Sequence, residues 1–240
     1  MLGPRRAVFT TAWANNGRIH ELGKHLARME IHAQRLKIEL PNDLEKRVIS
    51  AEIPQEETLV VIRWEEDLKL TFREPIRLQA AEAISVPAPR WTSSVTGCKH
   101  GDWQPYLDAG NQASEKGADV AILIHDYCIV DADRAMPIIL DEDGTLWIAS
   151  TDQGGVDSIT FSLLRPEIEK MGIPICEGRL NERLTARARE FLLLGTGIGV
   201  ANVKEIDGVE VGNNDSWLCD RLNEALDRFR RADGEGSTGV

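Results

Sequence analysis

One lysine on a glycine-flanked turn, Gly97-Cys98-Lys99-His100-Gly101-Asp102-Trp103, stands where two differently composed halves of the sequence meet. A lone lysine is ordinarily a surface charge, and what sets this one apart is the segment behind it. Tyr106 to Ala113 reads as a helix, Gly117 as its stop, and Val120-Ala121-Ile122-Leu123-Ile124 as a buried strand. A turn, a helix, a glycine and a strand in that order leave little choice but a mixed α+β fold. Lys99 marks its centre.

The first half supplies a small α+β lobe. Ala7 to Trp13 is rich in β-branched and aromatic residues, and Asn15-Asn16-Gly17 is hairpin turn chemistry. From Glu21 to Lys37 the positions Leu22, His25, Leu26, Met29, Ile31, Ala33 and Leu36 recur mostly at steps of three and four, which predicts an amphipathic helix with Arg28 and Arg35 between. Pro41-Asn42-Asp43 opens a second helix to about Ala51. Thr58 to Trp64 and Leu68 to Phe72 then form a hairpin, with a further strand expected at Ile76 to Ala80. Val86-Pro87-Ala88-Pro89-Arg90-Trp91, followed by hydroxyl residues, reads as an interdomain linker.

The second half alternates strands and helices. Hairpins are expected around His125-Asp126 and around Asp141 to Gly144. Asp152-Gln153-Gly154-Gly155-Val156-Asp157-Ser158 leads into a helix to Met171, whose N-terminus is an anion site in principle. A strand at Ile173 to Cys176 and a helix from Asn181 to Arg189 follow. Gly195-Thr196-Gly197-Ile198-Gly199 lies between two strands rather than ahead of a helix, so it is no dinucleotide fingerprint. Ser216 to Arg231 reads as an amphipathic helix.

Composition excludes several partners. Of 240 residues, 42% are apolar and 28% charged, enough for a globular core in one large domain or two unequal lobes. The 28 basic and 39 acidic side chains give a net charge of −11, which argues against nucleic acid or an anionic membrane as partner. No apolar run approaches the roughly 18 residues of a membrane span. Cys98, Cys128, Cys176 and Cys219 lack metal-ligand spacing, and no charged, apolar leader precedes them, so free thiols in a cytoplasmic protein are expected and no metal.

The order of these motifs resembles the fold-type IV pyridoxal-phosphate (PLP) enzymes: the class IV aminotransferases, branched-chain and D-amino-acid aminotransferase-like, and the aminodeoxychorismate lyases. In that family the Schiff-base lysine precedes a helix, a Lys-Gly or Arg-Gly helix end and a strand whose distal turn presents an acid to the pyridine nitrogen. Gly117 lies 18 residues beyond Lys99 and Asp131 lies 32 beyond, close to the family's spacing. Phe9-Thr10-Thr11, Gly17 and His25-Leu26-Ala27-Arg28 match the family's Phe-x-Thr strand, its turn and the helix whose arginine reaches the cofactor phosphate. Gly155-Val156-Asp157-Ser158 stands where the family has Gly-Ile-Thr-Arg, and Gly195-Thr196 where a glycine- and hydroxyl-rich turn meets the phosphate. Ile206-Asp207-Gly208 matches the family's Ile-Asp-Gly hairpin.

The resemblance spans roughly Phe9 to Arg231 and implies a two-lobed fold: a small N-terminal lobe over 1–85, a linker over 86–97, a larger C-terminal PLP-binding lobe over 98–231 and a disordered tail over 232–240. It implies PLP as cofactor, Lys99 as the catalytic residue, and Arg28, Lys99, Asp131, Gly155, Val156, Asp157, Gly195 and Thr196 as its binding residues. It also implies an amino donor and a keto acid as small-molecule partners, and a homodimer. The chain departs from the pattern in places. The family's Tyr or Phe-Gly-Asp-Gly run is missing ahead of Phe9, so the chain reads as a divergent, N-terminally short member. Asp131 replaces the usual Glu, and the Asp157 side chain opposes a phosphate and suits a helix cap better. Arg134 and Arg90 are further candidates, for phosphate and for a substrate carboxylate. Transamination of an amino acid is placed ahead of pyruvate elimination from aminodeoxychorismate, because it is the broader activity. A binding protein that keeps the fold without turnover is the reading from another class.

Overall fold

The computed structural model describes the backbone of residues 3–213 and 215–235, and side chains as far as Arg231. The chain groups into two compact units, one of Met1–Ile76, Trp91–Trp103 and Phe229–Val240, the other of Arg77–Arg90 and Gln104–Arg228. Each has its own sheet.

In the first unit, β1 (Val8–Asn15) turns through Asn16 and Gly17 into β2 (Arg18–Ile19). Both turn residues sit at positive φ, 52° and 70°, the backbone twist that a two-residue hairpin needs. Helix α1 (Leu22–Leu36) follows, and α2 (Leu44–Ile49) precedes β3 (Thr58–Trp64) and β4 (Leu68–Arg73). The sheet order is β2-β1-β3-β4, antiparallel throughout. α1 packs on β1, burying Met29, Ala33 and Leu36 against Val8, Val60 and Ile62. It ends at Lys37, whose φ of 58° closes a left-handed cap, with the Ile38 amide reaching the Ala33 carbonyl.

The second unit holds β5 (Ala80–Pro87), α3 (Gln104–Glu115), β6 (Val120–His125), β7 (Cys128–Ala132), β8 (Met136–Asp141), β9 (Leu146–Ala149), α4 (Ile159–Lys170), β10 (Ile175–Gly178), β11 (Leu180–Asn181), α5 (Glu182–Ala186), β12 (Ala188–Gly195), β13 (Gly199–Ile206), β14 (Val209–Glu210) and most of α6 (Trp217–Glu235). Its sheet runs β10-β9-β8-β12-β13-β5-β6-β7-β11, with β14 beside β13. It curls until β7 and β11 contact β9, so that it is nearly a closed barrel. Ile122, Ile139, Phe191, Leu193 and Val203 fill its core. Glu190, fully buried, accepts the amides of Leu218 and Cys219 at 2.7 and 3.0 Å and so anchors the start of α6.

Several expectations meet corrections here. The strand expected at 76–80 runs from Ala80 to Pro87, so the segment read as the start of a linker is the end of a strand. Ala81, Ala83, Ile84 and Val86 are buried, and it pairs in parallel with both β6 and β13. Residues 91–103 group with the first unit rather than with the residues after them. The cause is local: the Phe9 amide donates to the Lys99 carbonyl at 3.3 Å, His100 bridges Val8, and Gly101 donates to the Pro4 carbonyl at 3.1 Å. The helix expected to reach Arg189 stops at Ala186, because β12 begins pairing with β8 at Ala188. α6 extends to Glu235, into the segment expected to be a disordered tail, and 236–240 lie outside the described residues.

Candidate functional site

Each unit presents part of the expected residue set. In the first, Lys99 is half-buried on the turn after the Thr92–Thr96 loop. Its Nζ lies over the rings of Trp103 at 4.6 Å and Phe9 at 5.0 Å, and those rings meet edge to face. Two aromatic faces hold the side-chain nitrogen in place. The Lys99 amide donates to His32 Nδ1 at 3.2 Å, so the turn is fastened to α1.

The inner face of α1 is unusually polar. His25, Arg28 and His32, at steps of three and four, are all buried. Arg28 Nη2 donates to Thr10 Oγ1 at 2.8 Å, and the same hydroxyl lies 2.8 Å from His25 Nδ1. Burial, then the charges of Arg28 and Lys99, lower both His25 and His32 to a pKa of about 3. Burial also lowers His100 to about 4, with Asp102 opposing and Lys99 assisting. The histidines are therefore neutral at pH 7, and the charges that His25 and His32 feel, from Arg28, Lys99, Lys24 and Arg35, are positive. A chain with a net charge of −11 thus carries a local positive field.

In the second unit, Asp131 is buried on β7 with its carboxylate split between two amides: Ala132 at 2.9 Å and Val156 at 3.1 Å. It borders a cleft of ≈ 150 Å³ whose lining includes Met136, Ile148, Gly155, Val156, Phe161 and Arg165. Gly155 is required there, since a Cβ on it would stand 2.7 Å from the Val130 carbonyl oxygen. Gly195 closes β12, where an added Cβ would stand 2.9 Å from the Arg134 carbonyl oxygen, and Thr196 follows in the turn. Asp157 is exposed and does not cap α4; Ser158 does, its hydroxyl accepting the Phe161 amide at 3.2 Å. Arg134 is held by Asp133 at 2.6 Å, and Arg90 is exposed in the loop after β5.

Taken unit by unit, the groups are of the kinds a phosphorylated pyridine aldehyde would need: the first unit offers an amine held in place and a buried guanidinium, and the second a buried carboxylate and a glycine turn of amides. One contact departs from expectation. The Val156 amide, expected to face a phosphate, already donates to the acid expected to face the ring nitrogen. Sequence reasoning missed Thr10, His25 and His32 as members of the set. The two histidines carried a signal, polar residues at helical spacing on the same face as Arg28, whereas Thr10, on β1, carried none of that kind.

Two units with these sheets, and a lysine turn fastened to the first strand and helix, define a fold-type IV architecture. The profile of the amino-transferase class IV family matches residues 7–206, and the chain belongs to that family, whose members are PLP-dependent enzymes. Among solved structures, the chain is similar to a hypothetical aminotransferase from Mycobacterium tuberculosis in its PLP-bound form (15% identity, 95% of this chain and 90% of that one, TM-score 0.79). It is also similar to the branched-chain aminotransferase of Thermoproteus uzoniensis (19% identity, 95% and 85%, TM-score 0.77). A putative 4-amino-4-deoxychorismate lyase from Legionella pneumophila matches with 15% identity over 93% of this chain and 91% of that one, TM-score 0.77. No curated protein matches. At these identities the structural likeness carries the fold and not the substrate. Among the described residues no helix is long and apolar enough to cross a membrane.

Proposed function

We propose that the protein is a PLP-dependent aminotransferase acting on an amino acid or a close relative, with Lys99 as its catalytic amine. The observation that supports this most is the Lys99 turn itself, with Nζ 4.6 Å from the Trp103 ring and the backbone pinned to His32 and Phe9. PLP, when bound, supplies an aldehyde carbon for an amino group and a ring that accepts the electron pair left at Cα. Lys99 Nζ is the base that takes the proton from the substrate Cα and returns it. Arg28 holds the phosphate through its planar donors, with the amides of Val156 and Asp157, the Gly195 turn and the Thr196 hydroxyl as further phosphate partners. Asp131 keeps the ring nitrogen protonated. The amino donor and keto acid are the small-molecule partners, and a homodimer is proposed from the family resemblance.

A second reading is favoured by one observation, the Asp131 to Val156 bond at 3.1 Å, which occupies two cofactor contacts with each other. On that reading the chain keeps the fold and binds a ligand without turnover. The first reading requires Asp131 to turn toward the ring nitrogen and leave the amide to the phosphate. Single-turnover spectra separate them. PLP-loaded protein mixed with a panel of amino acids should lose its bound-cofactor absorbance with at least one donor and release an equimolar keto acid. Pyruvate released from aminodeoxychorismate would instead support the lyase alternative. A PLP-loaded protein inert to every donor and to aminodeoxychorismate would contradict the enzymatic reading.

A further inference from the structure

We infer that Thr10 is a positioning residue for the phosphate-binding arginine, its hydroxyl relaying the orientation of His25 to the guanidinium of Arg28. This rests on the PLP reading above and adds to it a part that the resemblance does not assign.

Thr10 is fully buried on β1, and its single hydroxyl stands 2.8 Å from both Arg28 Nη2 and His25 Nδ1. A guanidinium can only donate, so Thr10 Oγ1 accepts from Arg28. In the relay we infer, the hydroxyl proton goes to His25 Nδ1, and His25 carries its own hydrogen on Nε2. Burial and the neighbouring cations keep the ring neutral, which leaves Nδ1 able to accept in that tautomer at ordinary pH. The three residues come from two elements that pack together, β1 and α1, with His25 and Arg28 one turn apart on the same helix face.

The consequence is mechanical. An arginine side chain has several soft torsions, and tethering one terminal nitrogen to a rigid strand fixes the plane in which its fork is presented. A β-branched threonine, itself held by a histidine, is a stiff tether. Orientation of the fork matters for a phosphate and not for the rest of the cofactor. Loss of the tether should therefore weaken PLP binding selectively.

The test compares PLP with pyridoxal, which lacks the phosphate, by absorbance titration of wild type, Thr10→Val and Thr10→Ser. Thr10→Val should lose about tenfold or more in PLP affinity, the scale of a hydrogen bond to a charged group, while pyridoxal affinity stays within about twofold. Thr10→Ser should restore PLP binding. His25→Asn, whose amide oxygen can stand near the place of Nδ1, should resemble wild type, and His25→Leu should resemble Thr10→Val. Nitrogen-15 NMR on unmodified protein gives a reading that needs no variant to fold: His25 should be protonated at Nε2. Protonation at Nδ1, or equal losses for PLP and pyridoxal in Thr10→Val, would overturn the inference while leaving the PLP reading intact. If the wild type binds no PLP, the functional reading fails and the inference falls with it.

Discussion

At the scale of single residues, the interior of the first unit combines groups that a stable core would normally avoid. His25 and His32 have almost no exposure, yet both are lowered to a pKa of about 3 rather than paired with carboxylates. Such a pair leaves a thermodynamic signature. In the unfolded chain each histidine titrates near 6.5, so below that pH the unfolded state binds protons that the folded state refuses. Stability is complete above pH 6.5 and is lost as pH falls from there toward about 3. The slope approaches about 1.4 kcal/mol per pH unit for each histidine in the middle of that window. Urea unfolding between pH 7 and pH 4 should show it, and His32→Gln should flatten the curve by the share of one histidine. An unchanged slope would mean that His32 is charged in the folded protein. This residue-level pattern was only half legible beforehand: helical periodicity marks His25 as inward-facing, but the same periodicity cannot say that a threonine on another strand will meet it.

At the scale of elements, the turn between Gly154 and Ser158 carries the most specific demand. Gly154 has a φ of 137°, and Gly155 passes so close to β7 that a methyl group would lie 2.7 Å from the Val130 carbonyl oxygen. Backbone cannot move aside as a side chain can, so the Val156 amide would be displaced from Asp131 and from its proposed phosphate. Gly155→Ala should therefore cost about 1–3 kcal/mol of stability, as overpacking does, and lower PLP affinity by more than that loss explains. A titration in which Gly155→Ala binds PLP as wild type does would remove this turn from the site. The glycines themselves were legible in sequence, and so were the hairpins at Asn16-Gly17 and around His125-Asp126, the tip of the second lying one residue on, at Asp126 and Tyr127. Strand partnership was not. The sequence places a strand at 76–80 and a linker from Val86, and the parallel pairing of Ala80–Pro87 with β6 and β13 follows only from the whole topology.

At the scale of the molecule, the order of motifs from Phe9 to Arg231 was the most informative feature, because order survives when individual motifs erode. Family and architecture could be read from it. The grouping of Lys99 with the first unit could not, since it depends on three backbone contacts from the turn to β1 and to Pro4. A homodimer, proposed from family resemblance, would sediment at twice the 26.7 kDa of the chain; a monomer holding one PLP per chain would remove that part of the proposal.

Lys99 is proposed as the amine that bonds PLP. The most direct measurement is the absorbance spectrum of the purified protein with PLP, before and after borohydride reduction, followed by mass mapping of the modified peptide and repeated on Lys99→Ala. The expected result is a bound-cofactor band in wild type, fixed by reduction onto Lys99 and lost in the variant. A band that persists in Lys99→Ala, or no band at saturating PLP, would contradict it.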